Sequence, residues 1–188
     1  MQVTATALPE VLLLQPQRHG DARGWFMESW HAERYATLGL PPQMPQCNVS
    51  MSGHGVLRGL HFQQPKAQGK LVQVLAGAVF DVAVDIRLGS PSFGRWVSVE
   101  LSAENGHQLW IPPGFAHGFQ VLSEQALFMY HCSALYAADC DAAIHCQDSD
   151  IAIDWPLPVA ALSAKDEKAP RLAEIATQRL PRWSGVGQ

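Results

Sequence analysis

Charge is sparse in this sequence: Asp, Glu, Lys and Arg make up 16% of 188 residues, with 13 basic side chains against 17 acidic ones. The formal net charge is −4, and no run of Lys or Arg occurs. That balance excludes a nucleic-acid stripe and a polybasic membrane patch. An anionic ligand has to be met by a few placed cations. Long apolar runs are missing too. Val11-Leu-Leu-Leu14 is far too short to span a bilayer, and the first ten residues have neither the charged start nor the apolar core of a signal peptide. Cysteine is scarce: Cys47, Cys132, Cys140 and Cys146 form no CxxC pair and are too few for a disulfide scaffold. They read as buried free thiols, which fits a reducing cytoplasm. There is no internal repeat, linker or low-complexity tract, so the expectation is one domain over residues 1–188.

What is present is a succession of short alternating apolar stretches separated by turn signals. Lys70-Leu-Val-Gln-Val-Leu75, then Gly77, then residues 78–86 read as two strands of a hairpin. In the second, Phe80, Val82, Val84 and Ile86 share one face, and Asp81 and Asp85 share the other. Further strands are expected over 96–101, 109–111, 118–122 and 126–130, with a hairpin-type turn at Asn105-Gly106. Helix is confined to the flanks: a short one through 30–38 capped by Ser29 and stopped by Gly39 and Pro41, and a second over about 171–179. The pattern predicts an all-β antiparallel sandwich or barrel with short flanking helices.

The densest polar cluster is Gln46-Cys-Asn-Val-Ser50 followed by Gly55-Val-Leu-Arg-Gly-Leu-His-Phe-Gln63. Strict alternation in a strand over 56–62 sends Arg58 and Leu60 one way and Leu57, Gly59 and His61 the other. Gly59 reads as room for a ligand to approach the backbone. On its own, a strand histidine is more often a satisfied structural residue. Lys70 alone would be a solvated strand-edge lysine, Tyr130 an amphipathic barrel residue, Arg23 a turn charge and Asp166 a helix cap.

Five strings taken together change those readings. Asp21-Ala-Arg-Gly-Trp-Phe26, GVLRGLHFQ at 55–63, QGKLVQVLAGAVFDVAVDIRLGSPSFGRW at 68–96, QLWIPPGFAHGFQVLS at 108–123 and LSAKD at 162–166 resemble the dTDP-4-dehydrorhamnose 3,5-epimerase family. The similarity runs from about Gly20 to Pro170. It implies a jelly-roll (cupin-like) barrel, usually a homodimer, acting on a dTDP-4-keto-6-deoxyhexose without metal or organic cofactor. Carried over position by position, it implies His61 as general base with Asp166 behind it, Lys70 as enolate-stabilising cation and Tyr130 as opposite-face proton donor. It implies substrate contacts at Arg23, Glu28, Gln46, Asn48, Arg58, His117, Asp141 and Lys165.

The chemistry asks for these residue types independently. A proton next to a ketone needs a base near neutral pKa, and imidazole has that value unadjusted. The oxyanion that forms needs a cation, inversion needs an acid on the far face, which a tyrosine with a lowered pKa could supply, and a diphosphate favours arginine. A metal, which some cupin barrels hold, would need several histidines converging with a carboxylate. The strand around His61 has no HxH pair, and His117 stands alone in Phe115-Ala-His-Gly118, so none is expected. The resemblance breaks at Ala137-Ala-Asp-Cys-Asp141 and at His145-Cys-Gln-Asp148, the wall that lies near the substrate in family members. Two rival readings therefore stand beside the 3,5-epimerase: an epimerase of a single carbon, and a sugar-nucleotide binding module without catalysis.

Overall fold

In the computed structural model, which describes residues 1–185, the alternating stretches become strands β1 (Gln2–Ala5), β2 (Leu12–Gln15), β3 (Arg18–Asp21), β4 (Gly24–Met27), β5 (Gln46–Gly53), β6 (Leu57–Gln63), β7 (Lys70–Ala76), β8 (Ala78–Asp85), β9 (Trp96–Ser102), β10 (Gln108–Ile111), β11 (Phe115–Val121), β12 (Gln125–Cys132) and β13 (Asp141–Ala143). Among the described residues, α-helix is limited to α1 (Ala32–Ala36) and α2 (Ala164–Glu167). One sheet has the order β1-β2-β10-β7-β12-β5 and the other β13-β6-β11-β8-β9, while β3 and β4 form a separate hairpin. Pairing within the sheets is antiparallel. The two sheets close on each other as a jelly-roll barrel.

The period of two explains how the barrel fills. Val72 and Val74 of β7, Leu109 and Ile111 of β10 and Phe128 of β12 meet Val79, Ala83, Phe115, Phe119 and Val121 of the opposing sheet. Phe119 and Phe128 stack at 4.1 Å between centroids, joining the two walls. The outer face of the five-stranded sheet is covered as well. Val82, Val84 and Ile86, with Leu60 and Phe62, pack under Ile144, Ile151, Leu172 and Leu180 from the C-terminal segment. Phe80 joins the same cluster, so the face assigned to it from alternation is the observed one. The face bearing Asp81 and Asp85 is nevertheless buried, both carboxylates being fully shielded.

Two helix expectations need correction. The first helix is shorter than 30–38 and is capped by His31, whose Nδ1 accepts from the Arg34 N–H. Ser29 instead offers its carbonyl to the Tyr35 hydroxyl and the Gln108 amide, which anchor the helix to β10. The second expected helix is two separate 3₁₀ turns, Leu172–Glu174 and Thr177–Arg179. Leu172 is pinned by burial and by its N–H on the Asp148 carboxylate at 2.7 Å, and extended backbone at Ile175 and Ala176 carries the chain on so that Leu180 is buried too.

Candidate active site

The site begins with an irregularity in β6. His117 of β11 pairs with His61, but Phe119, two residues on, pairs with Arg58, three residues back. One extra residue in β6 therefore bulges, and a bulge reverses the alternation beyond it. Arg58 and His61 consequently lie on the same interior face as their partners His117 and Phe119. Leu60 points outward into the C-terminal cluster. This corrects the strict alternation, which grouped Arg58 with Leu60. Gly59 serves a different purpose from the one expected. A Cβ there would meet the Gly118 Cα at 2.5 Å and the His117 carbonyl at 2.7 Å, and its φ is +124°. The room beside its Cα is filled by β11, so the glycine permits close strand packing.

Asp166 of α2 stands behind His61. Its Oδ1 lies 2.6 Å from His61 Nε2, its backbone N–H is capped by Ser163, and the Gly59 N–H reaches its other oxygen at 3.5 Å. Burial pushes the Asp166 carboxyl up, but the bonds from His61, Ser163 and Gly59 outweigh it and hold it below the ordinary carboxylate range. An ionised carboxylate only accepts, so Nε2 carries the proton and Nδ1 keeps a free lone pair. The imidazole is one-third exposed while Asp166 is sealed. The base position thus faces a cavity with its orienting group buried.

That cavity measures about 360 Å³ and is lined by residues of both sheets, among them His61, Lys70, Tyr130, Gln46, Asn48 and Lys165. Lys70 opens β7 and Tyr130 lies on β12, the neighbouring strand, so both belong to the wall opposite β6. Desolvation draws the Lys70 ammonium below the usual lysine value, while the carboxylates of Asp141 and Asp81 pull the other way. The Tyr130 phenol is pushed up by burial, against a hydrogen bond from Asn48 and the nearby charge of Arg58. A lowered tyrosine pKa was the expectation from the chemistry. The buried setting instead keeps the hydroxyl protonated at neutral pH, the state in which a donor must start.

A second imidazole–carboxylate pair lies deeper between the sheets. His117 Nε2 sits 3.0 and 3.1 Å from the two oxygens of Asp81, and its ring stacks at 6.0 Å on Phe128. Burial holds His117 below its ordinary value in spite of Asp81, and the charges of Lys70 and His61 add to that depression. It is a neutral imidazole facing the core, behind the cavity wall.

Of the positions singled out in the sequence, His61, Lys70, Tyr130, Gln46, Asn48, Asp141 and Lys165 line one cavity, with Asp166 and His117 directly behind it. Arg58 reaches from β6 to β5, where its Nε donates to the Ser52 hydroxyl at 2.8 Å. Arg23 and Glu28 are not brought there. Arg23 is 89% exposed and paired with Asp21, and Glu28 is paired with Arg34. Sequence reasoning missed Gln63, whose amide bonds the Lys66 and Leu135 carbonyls and whose Oε1 accepts from the Ala137 N–H. It thereby holds the segment carrying Tyr136 over the cavity mouth. Its signal was its place at the end of the 55–63 string. Asp81 was legible only as a strand-face residue. Among the described residues, no group of three or more His, Cys, Asp and Glu side chains is arranged to hold a metal, and no helix is long and apolar enough to cross a membrane.

The family model described as dTDP-4-dehydrorhamnose 3,5-epimerase matches residues 5–174. The dTDP-4-dehydrorhamnose 3,5-epimerase of Salmonella typhimurium is 51% identical over 92% of this chain and 96% of its own, and that of Escherichia coli is 50% identical over 96% and 99%. A Legionella pneumophila 3,5-epimerase, solved in complex with dTDP-4-keto-L-rhamnose, superposes with a TM-score of 0.95 at 51% identity, covering 98% of this chain and 99% of that one. A 3'-monoepimerase from Streptomyces bikiniensis, bound to dTDP-quinovose, superposes at 0.86 with 34% identity, covering 95% and 92%.

Proposed function

The chain belongs to the dTDP-4-dehydrorhamnose 3,5-epimerase family, and from that premise we propose how its residues divide the reaction. It is an isomerase acting on a sugar nucleotide, converting dTDP-4-dehydro-6-deoxy-D-glucose to dTDP-4-dehydro-L-rhamnose. His61 takes the proton beside the 4-ketone through Nδ1, while Asp166 fixes the ring and stabilises the imidazolium that forms. Lys70 balances the negative charge that develops on the ketone oxygen. Tyr130 returns a proton on the other face. His117, held neutral by burial, keeps positive charge off the wall beside Lys70 and His61. Gln46, Asn48, Arg58 and Lys165 hold the sugar and its diphosphate.

One observation supports this division most. His61 rises from the five-stranded sheet, and Tyr130 and Lys70 from the six-stranded sheet, across a single cavity. Inversion at carbon needs proton removal and delivery on opposite faces, and two facing sheets supply that arrangement without any loop having to move. The test is proton NMR of the dTDP-4-keto sugar with the protein in deuterated water. Deuterium at both carbons 3 and 5 is the expected result. Deuterium at one carbon would make it a single-carbon epimerase, and none would leave a binding module. The higher identity to the 3,5-epimerases than to the 3'-monoepimerase favours the two-carbon outcome.

A homodimer belongs to this reading. Strand β5 is the edge of its sheet, and Val49 and Met51 on it are more than half exposed, as are Trp25 and Phe26 of the β3–β4 hairpin. An apolar edge of that kind invites pairing with another chain. In this reading Arg23 and Glu28, near that hairpin and outside this cavity, complete the site of a second copy. Light scattering at micromolar concentration is expected to give twice the chain mass. Met51→Asp should raise the dimer dissociation constant by about 10²-fold, because it leaves a charge unpaired in the contact. A monomeric parent would refute the dimer.

A further inference from the structure

The acid–base groups do not account for the ion pair between Asp141 of β13 and Lys165 of α2. It forms the partition between two cavities: the one containing His61, Lys70 and Tyr130, and a second of about 370 Å³ that runs past Lys168, Pro170, Ile175 and Arg179. Asp141 Oδ2 accepts from the Lys165 ammonium and also, at 3.2 Å, from the Tyr136 hydroxyl. Tyr136 is largely exposed at the mouth, held there by its N–H on Gln46 Oε1. Lys165 is about half exposed and Asp141 about one-fifth. Lys165 is thus the outermost lysine of the cavity, and its charge is already satisfied from within the protein.

A carboxylate is the closest side-chain counterpart of a phosphate oxygen: a compact anion that accepts charged hydrogen bonds. We propose that Asp141 is an internal stand-in for the ligand's diphosphate. It holds Lys165 and Tyr136 in place while the cavity is empty and yields Lys165 to an arriving phosphate. This rests on the sugar-nucleotide reading above and makes Asp141 a positioning residue. The sign of its effect follows. A carboxylate that must be displaced, and that then remains beside a diphosphate, weakens nucleotide binding and eases release. A carboxylate that simply contacted the ligand's hydroxyl groups would strengthen binding.

The experiment is calorimetric titration of the full chain with dTDP, comparing the parent with Asp141→Asn, Lys165→Gln and the double variant. Asparagine keeps the shape and an acceptor for Tyr136 but gives up the charge. Asp141→Asn is expected to bind dTDP about 2- to 5-fold more tightly, the scale of a partly exposed ion pair. Lys165→Gln should bind more weakly, and in its background the gain from Asp141→Asn should largely vanish, the mark of coupled residues. Unchanged or weaker binding by Asp141→Asn overturns the proposal. So does a gain that persists in full without Lys165, because that is plain repulsion and needs no exchange of partners. If the parent fails to bind dTDP, the sugar-nucleotide reading of the site itself fails and the proposal falls with it; if the parent binds and Lys165→Gln has no effect, the exchange of partners alone is overturned.

Discussion

Replacing His61 by alanine should abolish solvent deuterium exchange and product formation together. A missing general base costs about 10²–10⁴-fold, and no second group in this cavity is built to stand in. Lys70 is assigned to the charge on the ketone oxygen and lies on the opposite wall. His117 faces the core and is engaged by Asp81. The fold should survive, because His61 is one-third exposed and Asp166 keeps its bonds from Ser163 and the Gly59 N–H. A structural signature should accompany the loss. The Asp166 carboxyl is held low in the folded protein, so it contributes stability above its unfolded-state pKa, and that contribution disappears as the pH falls through the lowered folded value. Without His61 the largest bond holding it low is gone. The variant should therefore be less stable than the parent chiefly near neutrality, by about 1–3 kcal/mol for a partly unpaired buried acceptor, and the difference should shrink as the pH falls and Asp166 is protonated in both proteins. Exchange at near-parent rates would mean that another residue is the base.

Much of this site could be read along the chain, and the parts that could not share a physical cause. His61 and Lys70 sit inside distinctive strings and Tyr130 lies within the span that the resemblance covers, so the identity of all three follows from the sequence. The orientation of Arg58 did not, because a bulge is a pairing mismatch between two strands and has no mark in either strand alone. Gly59 looked like space for a ligand when its space is taken by Gly118, 59 residues further on. Asp81 looked like one polar residue of a half-solvated strand. Only the C-terminal segment folding over the outer face of that sheet turns both of its faces into interior. The two 3₁₀ turns read as one helix ending before Pro181, whereas the spacing between Leu172 and Leu180 is set by what they bury against. Arg23 and Glu28 pose the opposite case: the resemblance identifies them, yet one chain does not bring them to its own cavity.

Changing Tyr130 to phenylalanine should separate two steps that the overall rate merges. If His61 removes a proton from one face, its imidazolium can return a proton only to that face and restores the starting configuration. Net inversion needs delivery from the wall that β12 provides. Tyr130→Phe deletes one hydroxyl and leaves the ring in contact with Phe128, whose centroid lies 6.0 Å away. His61, Asp166 and Lys70 are untouched. Deuterium from solvent should therefore still enter the substrate from the His61 side, while epimerised product falls by about 10²-fold or more, the scale of a positioned acid. The burial that raises the Tyr130 pKa sharpens the expectation. The hydroxyl stays protonated across the neutral range, so the parent's product formation should not lose its donor until the pH approaches the upper limb. If instead Tyr130→Phe lost exchange and inversion equally, the hydroxyl would be needed to form the enolate, as a partner of Lys70 at the ketone oxygen. If it lost neither, the donor would be water or Tyr136, whose hydroxyl is bonded to Asp141 at the cavity mouth. Tyr136→Phe in the same exchange assay distinguishes those two sources, since only a tyrosine donor would be removed by it.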